Sequence, residues 1–131
     1  MQVFSEVFDV VRDDLDDLNH VNNVRYVEWV QEVSKKHWFQ VTTETLRKEM
    51  VWVVKNHNIT YHKSARLGDT LKINTYIKSN NGPISTRIVE ITNNKTGELL
   101  VNACTEWCLL DGKSFRPKRV PESIQKLFDQ Q

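Results

Sequence analysis

The stretch that decides the fold is DDLDDLNHVNNVRYVEWV, Asp13 to Val30. Four carboxylates fall within its first five residues, a histidine and three asparagines follow, and an apolar pattern then begins. Acidic and amide side chains are favoured just before a helix, where they complement the positive end of the helix dipole and cap free backbone N–H groups. The stretch therefore predicts a loop that ends where a helix begins.

The helix itself is predicted by the spacing of the apolar side chains that follow. They recur every three or four residues, while polar side chains occupy the other faces. The apolar positions are Tyr26, Val27, Val30, Val33, His37 and Trp38. This pattern predicts one amphipathic helix of about five turns, with Asn22 or Asn23 as its N-cap.

The rest of the chain has the period of two that is typical of strands, apart from a short helical turn at residues 42–50 and a short amphipathic helix at residues 121–131. The predicted strands are residues 2–12, 51–63, 68–79, 84–94 and 98–110. Short turns join most of them, which favours antiparallel pairing. The sequence predicts an α+β fold in which an antiparallel sheet of about five strands packs on one long helix.

The length of 131 residues fits one domain, residues 1–131. Eighteen basic and seventeen acidic residues give a net charge of +1, so we expect no nucleic acid and no membrane as a partner. Since there is no apolar run of about 18 residues and the N-terminus is acidic, we expect a cytoplasmic protein. One helix cannot cover five strands, which predicts a homodimer or a dimer of dimers.

Neither the cysteines nor the histidines predict a metal or cofactor site. Cys104 and Cys108 lie four residues apart on one strand face, where we expect small buried thiols. The four histidines lack the spacing of metal ligands. A calcium-loop frame that starts at Asp14 has Asn19 where glycine is required.

The acidic segment is compatible with acyl-transfer chemistry as well as with an ordinary solvated loop. Unpaired N–H groups at a helix N-terminus can stabilise the negative charge that develops on a carbonyl oxygen. A carboxylate just upstream can attack the carbonyl carbon or activate a water. Such an arrangement suits a thioester, because a thiol with a pKa of about 8.5 leaves readily without a proton donor.

Three motifs resemble those of the hotdog-fold thioesterases, of the 4-hydroxybenzoyl-CoA thioesterase type and particularly of the acyl-ACP thioesterases. DLDDLNHVNNVRYVEWVQE is similar to the family pattern D-L-D-x-N-x-H-V-N-N with a following tyrosine and tryptophan. ITYHKSARLGDTLKI resembles its strand pair, and RPKRVPESI its closing segment. The resemblance implies a hotdog fold, a sheet wrapped around the central helix, and hydrolysis of an acyl-CoA or acyl-ACP to carboxylic acid and thiol, with no cofactor.

The resemblance also implies roles for individual residues. Asp16 matches the catalytic carboxylate, acting as nucleophile or as general base toward water. The backbone N–H of Asn23 matches the donor that polarises the thioester carbonyl, and His20 matches the histidine that positions the water or the carboxylate. Asn22 matches the first of the paired asparagines, on the substrate side, and Asp14 matches a structural aspartate.

A CoA or phosphopantetheine carrier brings phosphates, for which basic side chains are the natural partners. The candidates are Lys63 and Arg66 near one turn, and Arg116 and Lys118 with the neighbouring Arg119 in the closing segment. The acyl pocket is expected between the long helix and the sheet or between subunits. Its candidate lining residues are Trp29, Val30, Val33, Trp38, Val51 and Trp52.

Two other functions remain open at this point. The chain has Leu18 where the acyl-ACP branch has asparagine, and Ser64 where it has a carboxylate or cysteine. A non-catalytic acyl-binding hotdog protein is therefore one alternative. A hotdog dehydratase is the other; it would need a histidine near a helix carboxylate such as Glu28 or Glu32, and His20 precedes the helix.

Overall fold

The structure is a computed structural model that describes residues 2–129. Its elements, in chain order, are β1 (Phe4–Asp9), a 3-10 turn (Arg12–Asp14), α1 (Asn23–Val41), α2 (Glu44–Glu49), β2 (Met50–Tyr61), β3 (Thr70–Asn81), β4 (Ile84–Asn93), β5 (Leu99–Asp111) and α3 (Glu122–Asp129). Every predicted helix and strand is present among these residues, and positions 130 and 131 of the predicted C-terminal helix lie outside them. The first strand is shorter than predicted, because the chain leaves the sheet after Asp9 and enters the 3-10 turn at Arg12.

The five strands form one antiparallel sheet in the order β1-β3-β4-β5-β2. The predicted α+β arrangement of one long helix and a five-stranded antiparallel sheet is confirmed. Tight turns at Gly82 and Gly97, with φ of 58° and 77°, join the three central strands. Both angles lie in the left-handed region, which glycine enters without steric cost.

Helix α1 lies on the inner face of the sheet. Its buried side chains are Tyr26, Val30, Val33, Ser34, His37 and Trp38, so the predicted apolar face is confirmed except for Val27, which is half-buried. The first half of α1 packs on the inward side chains of the central strands, such as Leu71 and Val89. In the second half Trp38 joins a separate cluster with Leu109 and the C-terminal helix α3.

The outer face of the sheet carries both cysteines. Cys104 and Cys108 share one strand face, as predicted, but both are half-buried rather than enclosed. The prediction of buried thiols is wrong, because the alternate residues of β5, such as Ala103 and Thr105, occupy the inner face of the sheet. In residues 2–129 no helix is long and apolar enough to span a membrane.

Candidate active site

The loop before α1 closes on itself between Leu15 and Val21, which pair as an isolated antiparallel bridge. Inside it the Asp16 N–H donates to the His20 carbonyl at 2.7 Å, and the Asn19 N–H donates to the Asp16 carbonyl at 3.1 Å. Asn19 has φ of 61°, a left-handed conformation that asparagine adopts more readily than most residues. These bonds hold Asp16 and His20 next to each other, where the two ends of the loop meet.

Asp14 anchors this loop to the helix. Its buried carboxylate accepts from Arg25 Nε at 3.0 Å and from the Val11 N–H at 2.9 Å. Arg25 Nη2 also donates to the Asp13 carbonyl at 3.0 Å, and the Asn22 N–H donates to the Asp14 carbonyl at 2.8 Å. These contacts agree with a structural role for Asp14.

The Asp16 carboxylate is held by the loop's own backbone. Its Oδ1 accepts from the Leu18 N–H at 2.9 Å and from the His20 N–H at 3.2 Å. In the part of the chain that the structure describes, Oδ2 has no hydrogen-bond partner, and the residue is half-buried. One carboxylate oxygen is therefore fixed and the other remains available.

The N-terminus of α1 leaves one backbone donor open. The Asn22 side chain caps the helix by accepting from the Val24 N–H at 3.0 Å, and the Arg25 N–H donates to the Asn22 carbonyl. The prediction that Asn22 or Asn23 caps the helix is thereby confirmed for Asn22. Within residues 2–129 the Asn23 N–H makes no hydrogen bond, and Asn23 is exposed. It is a free donor of the kind that can stabilise an oxyanion.

Tyr26 joins the helix to the segment that follows β2, a contact that the sequence motif did not reveal. Its buried hydroxyl accepts from the Ala65 N–H at 2.9 Å, while the Ala65 carbonyl accepts from the Val21 N–H at 2.9 Å. Burial raises the pKa of Tyr26, so the phenol stays neutral. The only hint in the sequence was the position of this tyrosine in the motif.

A polar cavity of about 570 Å³ lies beside this junction. It brings together three of the predicted site residues, His20, Lys63 and Arg66, and is also lined by Ser64. His20 and Arg66 pair as an antiparallel bridge, and Lys63 Nζ lies 3.1 Å from the Glu98 carboxylate. The other lining residues are Asp69, Asn93, Thr96, Glu98 and Leu100. The cavity thus combines two cationic, two acidic and two hydroxyl side chains, and cationic side chains of this kind can bind a phosphate.

Arg116 and Lys118 lie elsewhere in the same chain. The Lys118 N–H donates to the Leu109 carbonyl at 2.9 Å, whereas Leu100, nine residues earlier on β5, lines the polar cavity. At about 3.3 Å per strand residue this separation is about 30 Å. A single chain therefore does not bring these two basic residues to the polar cavity.

The residues predicted to line an acyl pocket are divided between several places. Trp38 and Trp52 line a second cavity, of about 320 Å³, near the C-terminal half of α1. Val30 and Val33 are fully enclosed in the core, and Trp29 packs edge-on against Phe8 with ring centroids 4.8 Å apart. Hydrophobic periodicity alone cannot separate a pocket wall from a packed core.

Comparisons with known proteins place this arrangement in a family. Residues 1–128 match the family model of the acyl-ACP thioesterase N-terminal domain. A palmitoyl-acyl carrier protein thioesterase from the chloroplast of Gossypium hirsutum is 24% identical over 87 residues. That match covers 66% of this chain and 21% of the relative, so the chain spans about a fifth of the length of this curated relative.

Solved structures show the same fold. The probable thioesterase YbaW from Escherichia coli is 24% identical, with a TM-score of 0.83 and 94% of each chain covered. A 4-hydroxybenzoyl-CoA thioesterase, solved as a mutant with 4-hydroxybenzoyl-CoA, is 16% identical with a TM-score of 0.86. The alignment covers 98% of this chain and 99% of that one. The hotdog fold that the sequence predicted is confirmed by these likenesses.

Proposed function

This chain belongs to the acyl-ACP thioesterase family, and from that membership we propose that it hydrolyses an acyl-ACP or acyl-CoA thioester to the free carboxylic acid and the thiol. The observation that carries the proposal is that one loop–helix junction holds both a carboxylate oxygen and a backbone N–H that are available to a substrate. Among the described residues, Asp16 Oδ2 and the Asn23 N–H each lack a hydrogen-bond partner. We also propose that residues 1–131 form one domain and that the protein is cytoplasmic.

The reaction that we propose needs only these groups and a water. The thioester oxygen accepts a hydrogen bond from the Asn23 N–H, which stabilises the negative charge of the tetrahedral intermediate. Asp16 takes a proton from water as the hydroxyl adds to the carbonyl carbon. The carbon–sulfur bond then breaks, and the proton on Asp16 passes to the departing thiolate.

Asp16 can instead act as a nucleophile in the same hydrolysis. Its free oxygen then attacks the carbonyl carbon and expels the thiolate, and water hydrolyses the resulting mixed anhydride. In either route His20 and Asn22 act from the same loop, where His20 helps to position the water or the carboxylate and Asn22 holds the helix end.

The carrier phosphates are proposed to lie on Lys63 and Arg66 at the polar cavity. Arg116 and Lys118 reach such a site only from a second subunit. Strand β2 has a free edge of twelve residues, and unpaired edges of this length favour pairing with another strand. Antiparallel pairing of two β2 strands sets the Met50 end of one subunit beside the Tyr61 end of the other, and so brings the basic closing segment toward the neighbouring cavity.

A non-catalytic acyl-binding protein is the second candidate. Ser64 lines the polar cavity, where the acyl-ACP branch has a carboxylate or cysteine. A dehydratase has less support, because Glu28 is exposed on α1 and forms an ion pair with Arg25 at 3.0 Å.

Replacement of the Asp16 carboxylate tests the proposed function. We expect Asp16→Asn to lower kcat on acyl-CoA and acyl-ACP substrates by about 100- to 10,000-fold, the usual contribution of a general base. An asparagine Oδ1 can still accept from the Leu18 and His20 N–H groups, so the loop should remain folded. Release of free thiol, followed with a thiol-reactive dye, measures the rate.

Asp13→Asn is the matched control, because Asp13 is exposed and contributes only its carbonyl to the loop. It should retain the parent rate, and both variants should keep the parent circular dichroism spectrum. If Asp16→Asn turns over as fast as the parent, Asp16 is not the catalytic group. If the parent releases no thiol from any acyl chain on either carrier, the acyl-binding alternative takes its place.

A further inference from the structure

A second cavity, of about 320 Å³, lies between the C-terminal half of α1, the inner face of the sheet and α3. Its wall is mainly aromatic and aliphatic, with Trp38, Trp52, Trp107, Ile124 and Phe128 among the lining residues. The lining also contains the exposed Lys35, several amide and hydroxyl side chains, and the buried cation Arg87. None of its lining residues belongs to the loop–helix junction or to the polar cavity.

Arg87 is buried, and its hydrogen-bond partners among residues 2–129 are uncharged side chains. It is 4% exposed, and its Nη1 donates to His37 Nδ1 at 2.9 Å and to Thr75 Oγ1 at 3.0 Å. Its guanidinium lies 5.6 Å from the centre of the Phe128 ring. Among the described residues no carboxylate forms an ion pair with Arg87. An uncompensated buried cation is costly, and an anion in the cavity would offset that cost.

His37 cannot supply the missing negative charge. Because arginine only donates hydrogen bonds, His37 Nδ1 must accept, which places the imidazole proton on Nε2. That nitrogen lies 2.6 Å from Gln2 Oε1 and donates to it. Burial and the neighbouring Arg87 lower the pKa of His37 to about 4, so the ring is neutral. Burial lowers the pKa of Arg87 to about 9, and the guanidinium remains charged at neutral pH.

Two further hydrogen-bond donors, Trp107 on β5 and Ser85 on β4, lie close to Arg87 in the sheet. Trp107 Nε1 is buried without a hydrogen-bond partner in residues 2–129. Trp107 pairs across the sheet with Ser85, which is 4% exposed and precedes Arg87 by two residues on the same face of β4. Trp107, Ser85 and Arg87 all line this cavity, and the indole N–H, the serine hydroxyl and the guanidinium can all donate hydrogen bonds. The missing group is an acceptor with negative charge.

We infer that this cavity is a binding site for a medium-chain aliphatic carboxylate, with its carboxylate on Arg87 and Trp107 and its chain among the aromatic side chains. A volume of about 320 Å³ holds about ten heavy atoms at roughly 30 Å³ each, the share of a water molecule in the liquid. Octanoate has that size. The carboxylate belongs either to a free acid or to the far end of an acyl chain.

Direct binding of sodium octanoate tests the inference without any thioester. Titration calorimetry should show saturable binding to the parent protein, and Arg87→Met should weaken it at least tenfold while leaving the binding of uncharged 1-octanol unchanged. Trp107→Phe removes the indole N–H together with part of the ring, so it should weaken the binding of octanoate several-fold and by more than that of 1-octanol, which keeps the test valid if Arg87→Met does not fold. Arg12→Met is the matched control, because Arg12 is exposed and remote from the cavity lining.

The inference is wrong if the parent shows no saturable octanoate binding, or if both cavity variants bind octanoate as tightly as the parent. It is also wrong if chloride or inorganic phosphate alone competes with octanoate on equal terms, because the site would then accept any small anion.

A comparison of two CoA thioesters distinguishes the two sources of the carboxylate, and this arm rests on the proposed function. Asn23 and His37, the partner of Arg87, are fourteen residues apart on α1, about 21 Å at the helical rise per residue, so only a long acyl chain reaches from the junction to Arg87. If the carboxylate is the far end of such a chain, the thioester of octadecanedioic acid should have a kcat/KM at least tenfold above that of octadecanoyl-CoA. Arg87→Met should remove this preference. Equal rates with tight octanoate binding identify a free acid as the ligand. Failure of both thioesters to react overturns the proposed function and leaves the binding result standing.

Discussion

At the scale of single residues, His37 shows how the surroundings of a histidine determine its charge and its role. The sequence places it on the apolar face of a helix, and the structure buries it completely. It stacks on Phe4 with ring centroids 5.4 Å apart and meets Phe128 edge-on at 4.9 Å. Because Arg87 donates to its Nδ1, His37 acts as a neutral structural acceptor.

The pKa of His37 predicts a loss of stability in acid. Its value of about 4 in the folded state lies below the usual histidine value of 6.5, so the unfolded chain takes up a proton at a higher pH than the folded protein does. The contribution of neutral His37 to the free energy of unfolding should therefore be complete above pH 6.5, and it should decrease as the pH drops toward 4. The loss from this residue is up to about 3 kcal/mol. Urea unfolding at pH 7 and pH 4.5 measures it.

His37→Gln is the control for that measurement. Glutamine can still accept from Arg87 but cannot titrate, so the variant should lose less stability between the two pH values than the parent does. His57, whose pKa burial also lowers, remains in both proteins and contributes equally. Identical losses in parent and variant would contradict the role given to His37.

At the scale of secondary-structure elements, the opening of α1 determines the chemistry of the junction. Asn22 has φ of −63° and ψ of 134° and caps the helix with its side chain. Asn23 is the first helical residue, and its N–H is the open donor. In the proposed reaction the backbone of Asn23 acts, and its side chain does not.

Asn23→Pro tests the backbone N–H without disrupting the helix, because proline has no N–H. Proline is favoured at the first helical position, and the extended ψ of Asn22 is the conformation that a residue before proline prefers. The helix should therefore form normally, while the open N–H is lost. We expect kcat to fall about 100-fold or more, the usual cost of one oxyanion donor.

Asn23→Ala is the matched control, because it removes the side chain and keeps the N–H. It should retain most of the parent activity. Equal activity of the proline and alanine variants, both with the parent circular dichroism spectrum, would show that the N–H does not take part. Thiol release from the same thioester gives both rates.

At the scale of the whole molecule, the sheet leaves an edge that its own chain does not cover. Its edge strands are β1, with six residues, and β2, with twelve. The basic closing segment lies at one end of β2 and the polar cavity at the other. A twofold axis beside β2 would bring the two ends together in pairs.

We therefore expect a dimer with twice the chain mass of 15.4 kDa in light scattering, and two shared sites in each dimer. Asp16→Asn subunits mixed with Arg116→Met/Lys118→Met subunits should recover activity, because one site of each mixed dimer then has all its groups intact. Each variant alone should have low activity. A monomer mass, or a mixture no more active than its two components, would contradict the shared site.

The sequence alone determined the order and type of the elements and the location of the junction. Local periodicity and capping are properties of neighbouring residues, which is why α1, its Asn22 cap and the five strands were predictable. The motif placed Asp16, His20 and Asn23 at one loop–helix junction for the same reason. The short C-terminal helix α3 was also visible as a local pattern.

Only the tertiary structure decided which distant residues meet. Tyr26 binds Ala65, 39 positions away, and Arg87 binds His37, 50 positions away. It also decided that the two cysteines face outward and that Arg116 and Lys118 lie far from the cavity that holds Lys63 and Arg66. Such contacts depend on strand order and on which face each strand turns inward, and neither is encoded in any short stretch of the chain.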